Sequence, residues 1–230
     1  MKILLFSNSG KPLYGWCKQL LANYFNGKKV TFISASTVYD PNEYFHLVKN
    51  ILKPLGLHVD HLRLADFSNS DLSVIESFLV GGGNTYHLLL QLKKYKLLKK
   101  IRNRVLNGAL YAGLSAGANV VGPNILTTND WNVIGLRVFG GLNLVPFNIN
   151  PHYNAQQDKI LSSAESRDER IYEYFEFHHN PVVALDEETY LEINDDNVKV
   201  GGKGKAKLFL KGHRPKIYKS GDFIKFESGF

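Results

Sequence analysis

Cysteine occurs once in the 230 residues, at Cys17. One thiol can neither close an internal disulfide nor furnish a cysteine-rich zinc site, so a reducing compartment is expected, with the cytoplasm as the default. Long apolar runs are missing as well. Met1 to Ser7 is apolar after Lys2 but only a few residues long, and no later run approaches the ~20 residues that a bilayer-spanning helix needs. Neither a signal peptide nor a membrane span is expected. No Pro/Gly/Ser-rich linker, charge block, repeat or low-complexity tract divides the chain, so residues 1–230 read as a single α/β domain with one sizeable core. HExxH and clustered His/Asp motifs are absent, and Gly201, Gly202 and Gly204 lack the Lys-Ser/Thr that completes a phosphate loop. No metal or other cofactor is expected.

Positive charge is in excess, with 28 Lys and Arg against 21 Asp and Glu and a net charge of +7. The stretch from Lys93 to Arg104 accounts for that excess without one acidic residue. Leu88, Leu89, Leu92, Leu97, Leu98, Ile101 and Val105 recur through it at near-helical spacing, which makes the basic residues the solvated side of core-packed helices. Apart from Tyr95 it lacks interleaved aromatics, and no nucleic-acid-binding module is recognisable. Nucleic acid and membrane are therefore not the expected partners.

Apolar runs at Ile3–Phe6, Val30–Ser34, Val59–Leu64, Ser77–Val80 and Ala109–Leu114 read as buried strands. Helical patterns at Leu13–Phe25, Asn42–Leu55 and Thr85–Leu106 separate them, and the alternation predicts a mainly parallel sheet flanked by helices. Cys17, beside Trp16, Leu20 and Leu21, reads as a small buried hydrophobe of the first helix. A further helix is expected over Arg167–Phe177. After Pro181 the pattern becomes short extended segments at Val182–Leu185, Tyr190–Ile193, Val198–Val200, Ala206–Leu210 and Phe223–Phe226. Asn194-Asp195-Asp196-Asn197 is a hairpin signal between two of them, so C-terminal antiparallel strands are expected.

Gly113-Leu114-Ser115-Ala116-Gly117 fits G-x-S-x-G, with an apolar strand before it and a helix-compatible segment after it. That context puts Ser115 on a nucleophile elbow, where the Ala116 N–H can face a developing oxyanion. Gly81-Gly82-Gly83-Asn84 also joins a strand to a helix, and Gly83 can supply a second donor. Of the eight histidines, His46, His58, His61, His87, His178, His179 and His213 fall in helices, a strand, helix ends or turns. His152 follows Pro151 in a loop after an apolar stretch and is the candidate base.

Gly81 to Thr85, Gly113 to Asn119, Thr127-Thr128-Asn129-Asp130 and Asn150-Pro151-His152, in this order and at these spacings, together resemble peptidase E, the α-aspartyl dipeptidase family of serine peptidases. The resemblance runs from Pro54-Leu55-Gly56 to the Gly201-Gly202 turn. It implies a class I glutamine amidotransferase-like fold and hydrolysis of Asp-X dipeptides through an acyl-enzyme. Ser115 is then the nucleophile and His152 the base, with Gly83 and Ala116 as the oxyanion hole. For the third member, Asp130 matches the family aspartate and ranks first, with Glu187 as the alternative acid. Arg167, in a stretch similar to the family's Glu-Thr-Arg, is the candidate partner of the substrate's aspartyl carboxylate, and Arg170 is its backup. Gln156 to Ala164 departs from the family in lacking its usual glycine and histidine. The remaining readings are a peptidase of the same fold with another preference, cyanophycinase-like or an aminopeptidase, and a non-catalytic basic binding protein. The expected partners are small dipeptides, acted on by a monomer or small homo-oligomer.

Overall fold

A computed structural model describes residues 1–36, 40–64, 72–153 and 165–226. Its larger sheet begins with β1 (Lys2–Phe6), β2 (Val30–Ile33), β3 (Val59–His61), β4 (Ser77–Val80) and β5 (Leu110–Leu114). These five pair in parallel in the order β3-β2-β4-β5-β1. Helices α1 (Lys18–Phe25), α2 (Pro41–Leu52), α3 (Thr85–Lys94) and α4 (Leu97–Leu106) connect them, and α5 (Ala116–Asn119) leaves β5 directly. On β1 the alternation is plain: Leu4 and Phe6 pack with Leu21, Phe25 and Val48, while Ile3 and Leu5 join Leu88, Leu92 and Ile101 on the other face. Apolar layers on both faces are what a parallel sheet requires.

A second sheet gathers β6 (Asn148–Asn150), β7 (Val182–Leu185), β10 (Ala206–Phe209) and β11 (Lys216–Tyr218), while β8 (Thr189–Asn194) and β9 (Asn197–Gly202) extend the first sheet antiparallel beside β1. The expected C-terminal antiparallel strands are therefore shared between the two sheets. The β8–β9 hairpin turns at Asp195, whose φ is +51°. The helix α6 (Arg167–Phe177) has the predicted bounds and opens with a capping box of Ser166 and Glu169.

Three readings change. The stretch Thr85–Leu106 is two helices, broken at Lys96 with φ +55°. A five-residue step from Leu92 to Leu97 would swing a continuous helix's apolar stripe by about 140°, and the break restores it to the core. The first helix starts at Lys18 rather than Leu13, because buried Tyr14 sits at φ +60°. Phe223–Phe226 forms a bridge at Phe223 rather than a strand. β6 was hidden because Asn148 and Asn150 look like loop residues; Asn148 Nδ2 donates to Tyr174 Oη at 2.8 Å, and Asn150 Nδ2 to the Thr127 carbonyl at 2.7 Å.

Cys17 is wholly buried among Leu21, Phe6 and Leu114, and burial pushes its thiol pKa up to about 12. Thiolate is the reactive form. The native protein should therefore resist alkylation by iodoacetamide at pH 8 and take up one equivalent when denatured. Mass spectrometry showing rapid native alkylation would contradict this burial.

Candidate active site

α5 lies so close to β5 and β4 that glycine is forced at two positions of the pentapeptide. A Cβ on Gly113 would lie 2.1 Å from the Gly117 carbonyl oxygen, and one on Gly117 would lie 2.4 Å from that of Val80. Between them the chain turns sharply at Ser115, with φ +51° and ψ −107°. Non-glycine residues seldom occupy such backbone space, and it persists where surrounding bonds over-determine it. Here the Ser115 N–H donates to the Phe6 carbonyl, and the Ser115 carbonyl accepts from Ala118 and Asn119, all at 2.9 Å.

His152 leaves β6 with φ +55°. Its N–H donates to Ser7 Oγ at 2.8 Å, and the Ser7 hydroxyl donates in turn to the Leu185 carbonyl at 3.0 Å. Its ring spans two partners, Nε2 to Ser115 Oγ and Nδ1 to Glu187 Oε1, each at 2.8 Å. A carboxylate accepts only, so Nδ1 carries the hydrogen and Nε2 is left to accept the Ser115 proton. Glu187 follows β7, and the next N–H, of Glu188, donates to Asn8 Oδ1 at 3.2 Å. His152 and Glu187 are 40% and 47% exposed, so the pair orients the ring more than it stabilises the fold.

Of the two candidate acids, Glu187 is the one in contact with the imidazole. Asp130 makes its hydrogen bonds elsewhere: its Oδ2 accepts from the Thr85 N–H at 2.7 Å, Thr85 Oγ1 at 2.6 Å and Thr128 Oγ1 at 3.0 Å. Thr85 is the first residue of α3, so this carboxylate is consumed by a helix N-terminus and two hydroxyls. It secures the loop after Gly83 instead of holding the imidazole.

A cleft of about 600 Å³ opens over Ser115, His152 and Glu187, with Gly82 and Gly83 on its wall. A Cβ on Gly82 would be 3.3 Å from Ser115 Cβ, and Gly83 has φ +132°, which demands glycine. Among the described residues neither the Gly83 nor the Ala116 N–H donates to another protein group. Arg167 and Arg170 line a separate, smaller pocket of about 40 Å³ with Asn129 and Tyr174. Arg167 Nη1 donates to Asn129 Oδ1, and Asn129 Nδ2 donates to the Pro151 carbonyl, so Arg167 reaches the base's loop through one amide. Arg170 Nε lies 4.0 Å from a Glu165 carboxylate oxygen. The departure at 156–164 lies outside the described residues. Among those described, no group of three His, Cys, Asp or Glu side chains gathers as metal ligands would. The sequence reading missed Ser7, Asn8 and Asn129. Ser7 and Asn8 had a signal, since they follow the apolar run of β1 at the carboxyl end of a parallel strand, where open α/β sheets place their sites.

Fold and site together are those of an α/β serine hydrolase. The chain belongs to peptidase family S51, whose model matches residues 3–201. It is 36% identical over 236 residues to a peptidase E of Nostoc sp., covering 98% of this chain and 96% of that one. The crystal structure of a putative peptidase E from Listeria monocytogenes is 26% identical, covers 87% of this chain and 98% of its own, and superposes with a TM-score of 0.62. A peptidase from an acI-B1 actinobacterium, 19% identical over 98% of this chain and 96% of its own, shares the fold with a TM-score of 0.72. The chain is thus a serine-type peptidase.

Two variants separate the acids. Glu187→Gln should lower kcat by about 10²- to 10⁴-fold with an unaltered melting temperature, because it frees the wrong tautomer. Asp130→Asn removes charge from the start of α3 and should lower Tm by roughly 3–6 °C. Turnover kinetics with thermal melts check this, and a Glu187→Gln enzyme of full activity would remove Glu187 from the site.

Proposed function

We propose that this peptidase hydrolyses dipeptides with an N-terminal aspartyl residue. The observation that carries the reading is the Ser115–His152–Glu187 chain of contacts, 2.8 Å at each link, in a cleft whose wall includes Gly83. Ser115 Oγ attacks the aspartyl carbonyl while His152 Nε2 takes its proton. The Gly83 and Ala116 N–H groups receive the oxyanion, and Glu187 holds the ring as it becomes imidazolium. The imidazolium then protonates the leaving amine. Water, deprotonated by the same nitrogen, attacks the acyl-enzyme, and the imidazolium returns that proton to Ser115 Oγ as the acyl bond breaks and aspartate is released. The nucleophile is a side chain, so no step calls for a metal.

Arg167 is the proposed partner of the β-carboxylate. Supporting this are the similarity of its stretch to the family pattern and its tether through Asn129 to the peptide before His152. A guanidinium grips a carboxylate with two parallel hydrogen bonds. The same reading places the enzyme in the cytoplasm, as a monomer or small homo-oligomer acting on small peptides rather than nucleic acid. No helix among the described residues is long and apolar enough to cross a membrane. Leu92, Leu97, Ile101 and Val105 of the basic helices are buried, as a solvated basic face requires.

Two experiments test this reading. Ser115→Ala should abolish hydrolysis of Asp-Leu without unfolding the protein. In Arg167→Met, kcat/KM for Asp-Leu should fall by the equivalent of roughly 2–5 kcal/mol while Asn-Leu changes far less. An unaltered ratio of the two substrates would pass the role to Arg170. A native enzyme that prefers Leu-Leu to Asp-Leu would overturn the aspartyl preference.

A further inference from the structure

The cleft over Ser115 has a second wall that the catalytic machinery does not use. β1 ends at Phe6, and the chain then runs along the rim through Ser9, Gly10 and Lys11 before reaching Tyr14. This loop is fixed at both ends. On one side the Ser7 N–H donates to the Thr189 carbonyl at 2.9 Å, and Asn8 Oδ1 accepts from the Glu188 N–H. On the other, Tyr14 is wholly buried, and its carbonyl accepts from Lys18 at 2.9 Å. Between them Gly10, at φ +78°, lies against Trp16, where a Cβ would come within 2.4 Å of the indole. The backbone of Lys11 is thus held in place while its side chain is exposed in the cleft. Among the described residues Lys11 has no hydrogen-bonding or ion-pairing partner, and it is the one Lys or Arg lining this cleft.

A dipeptide carries a charge that a longer peptide lacks at the same place. With the scissile carbonyl on Ser115, the next residue lies about 3.8 Å further along the chain and ends there in a free carboxylate. The cleft's own acid, Glu187, is engaged with His152 and repels that group. Arg167 and Arg170 line the other pocket. We propose that Lys11 pairs with the α-carboxylate of the leaving residue and so selects dipeptides over longer or C-terminally blocked peptides. The assignment rests on the dipeptidase reading above. A lysine suits the role because its ammonium is a mobile point charge on a flexible stem, able to follow a carboxylate whose position varies with the leaving side chain. The side-chain carboxylate of aspartate is the same in every substrate and suits a rigid guanidinium.

The test compares kcat/KM for Asp-Leu and for Asp-Leu-amide, which differ only in the terminal charge. The native enzyme should favour the free acid. Lys11→Met should reduce that preference by about tenfold, the value of one partly solvated charge-assisted hydrogen bond, with the change in KM rather than kcat. Lys11→Arg should restore most of it. An unchanged preference in Lys11→Met, or equal losses on both substrates, would overturn the assignment, and equal losses would point to the aspartyl carboxylate instead. If the native enzyme cleaves Leu-Leu in place of Asp-Leu, the aspartyl reading fails separately. The same ratio, read on Leu-Leu and its amide, then still decides the role of Lys11.

Discussion

The hydroxyl of Ser7, wholly buried, accepts the N–H of His152 and donates to the carbonyl of Leu185. One oxygen thereby joins the strand that begins the chain to the segments carrying the base and the acid. Its neighbours extend the joint: the Phe6 carbonyl holds the Ser115 N–H, and Asn8 holds the N–H after Glu187. The end of β1 is the common support on which residues 115, 152 and 187 converge. Each such bond is worth only about 1 kcal/mol net, but an unmatched buried partner costs more, about 1–3 kcal/mol. The geometric consequence is larger still, since a shift of about 1 Å in a reacting group can cost two orders of magnitude in rate.

Strain gathers at the same joint. Ser115, His152 and Glu188 have φ of +51°, +55° and +54°, and none is glycine. Such residues cost of order 1–3 kcal/mol each and persist only in surroundings that over-determine them. The surroundings are the two apolar layers of the parallel sheet and the hydrogen bonds from Phe6, Ser7 and Asn8. The packing core is thus spent on three awkward turns that aim a hydroxyl, an imidazole and a carboxylate at one point.

Whether a feature could be read from sequence followed from how local its cause is. Strands such as Ser77–Val80 and helix Arg167–Phe177 were readable because apolar runs, spacing and a capping residue determine them within a few positions. The elbow was readable from its local G-x-S-x-G pattern between strand and helix, although Gly117 answers the distant Val80 of β4. The acid was not. Asp130 and Glu187 lie in equally plausible turns, and choosing between them requires knowing that β6 and β7 pair in one sheet, 34 positions apart at their Asn148–Val182 register. β6 itself was concealed, because its asparagines read as loop residues until Tyr174 and Thr127 are seen to accept from their amide groups. Ser7 had a positional signal alone, the carboxyl end of a parallel strand, while nothing in its identity announces two long-range partners.

The openness of the site sets what it can process. His152 and Glu187 are both partly exposed, so water can reach the pair and neither side chain carries the cost of full burial. A cleft of about 600 Å³ lies within the range that encloses small ligands. In that space a dipeptide presents an ammonium, a terminal carboxylate and, when aspartyl, a second carboxylate. Charge at both ends of so short a substrate makes electrostatic placement a source of orientation beside the apolar contacts of Leu13, Tyr44 and Leu114. On the proposed reading, Lys11 on the rim and Arg167, tethered beside the base's loop, are two separate handles. Their separation lets the register of the scissile bond depend on both ends of the substrate at once.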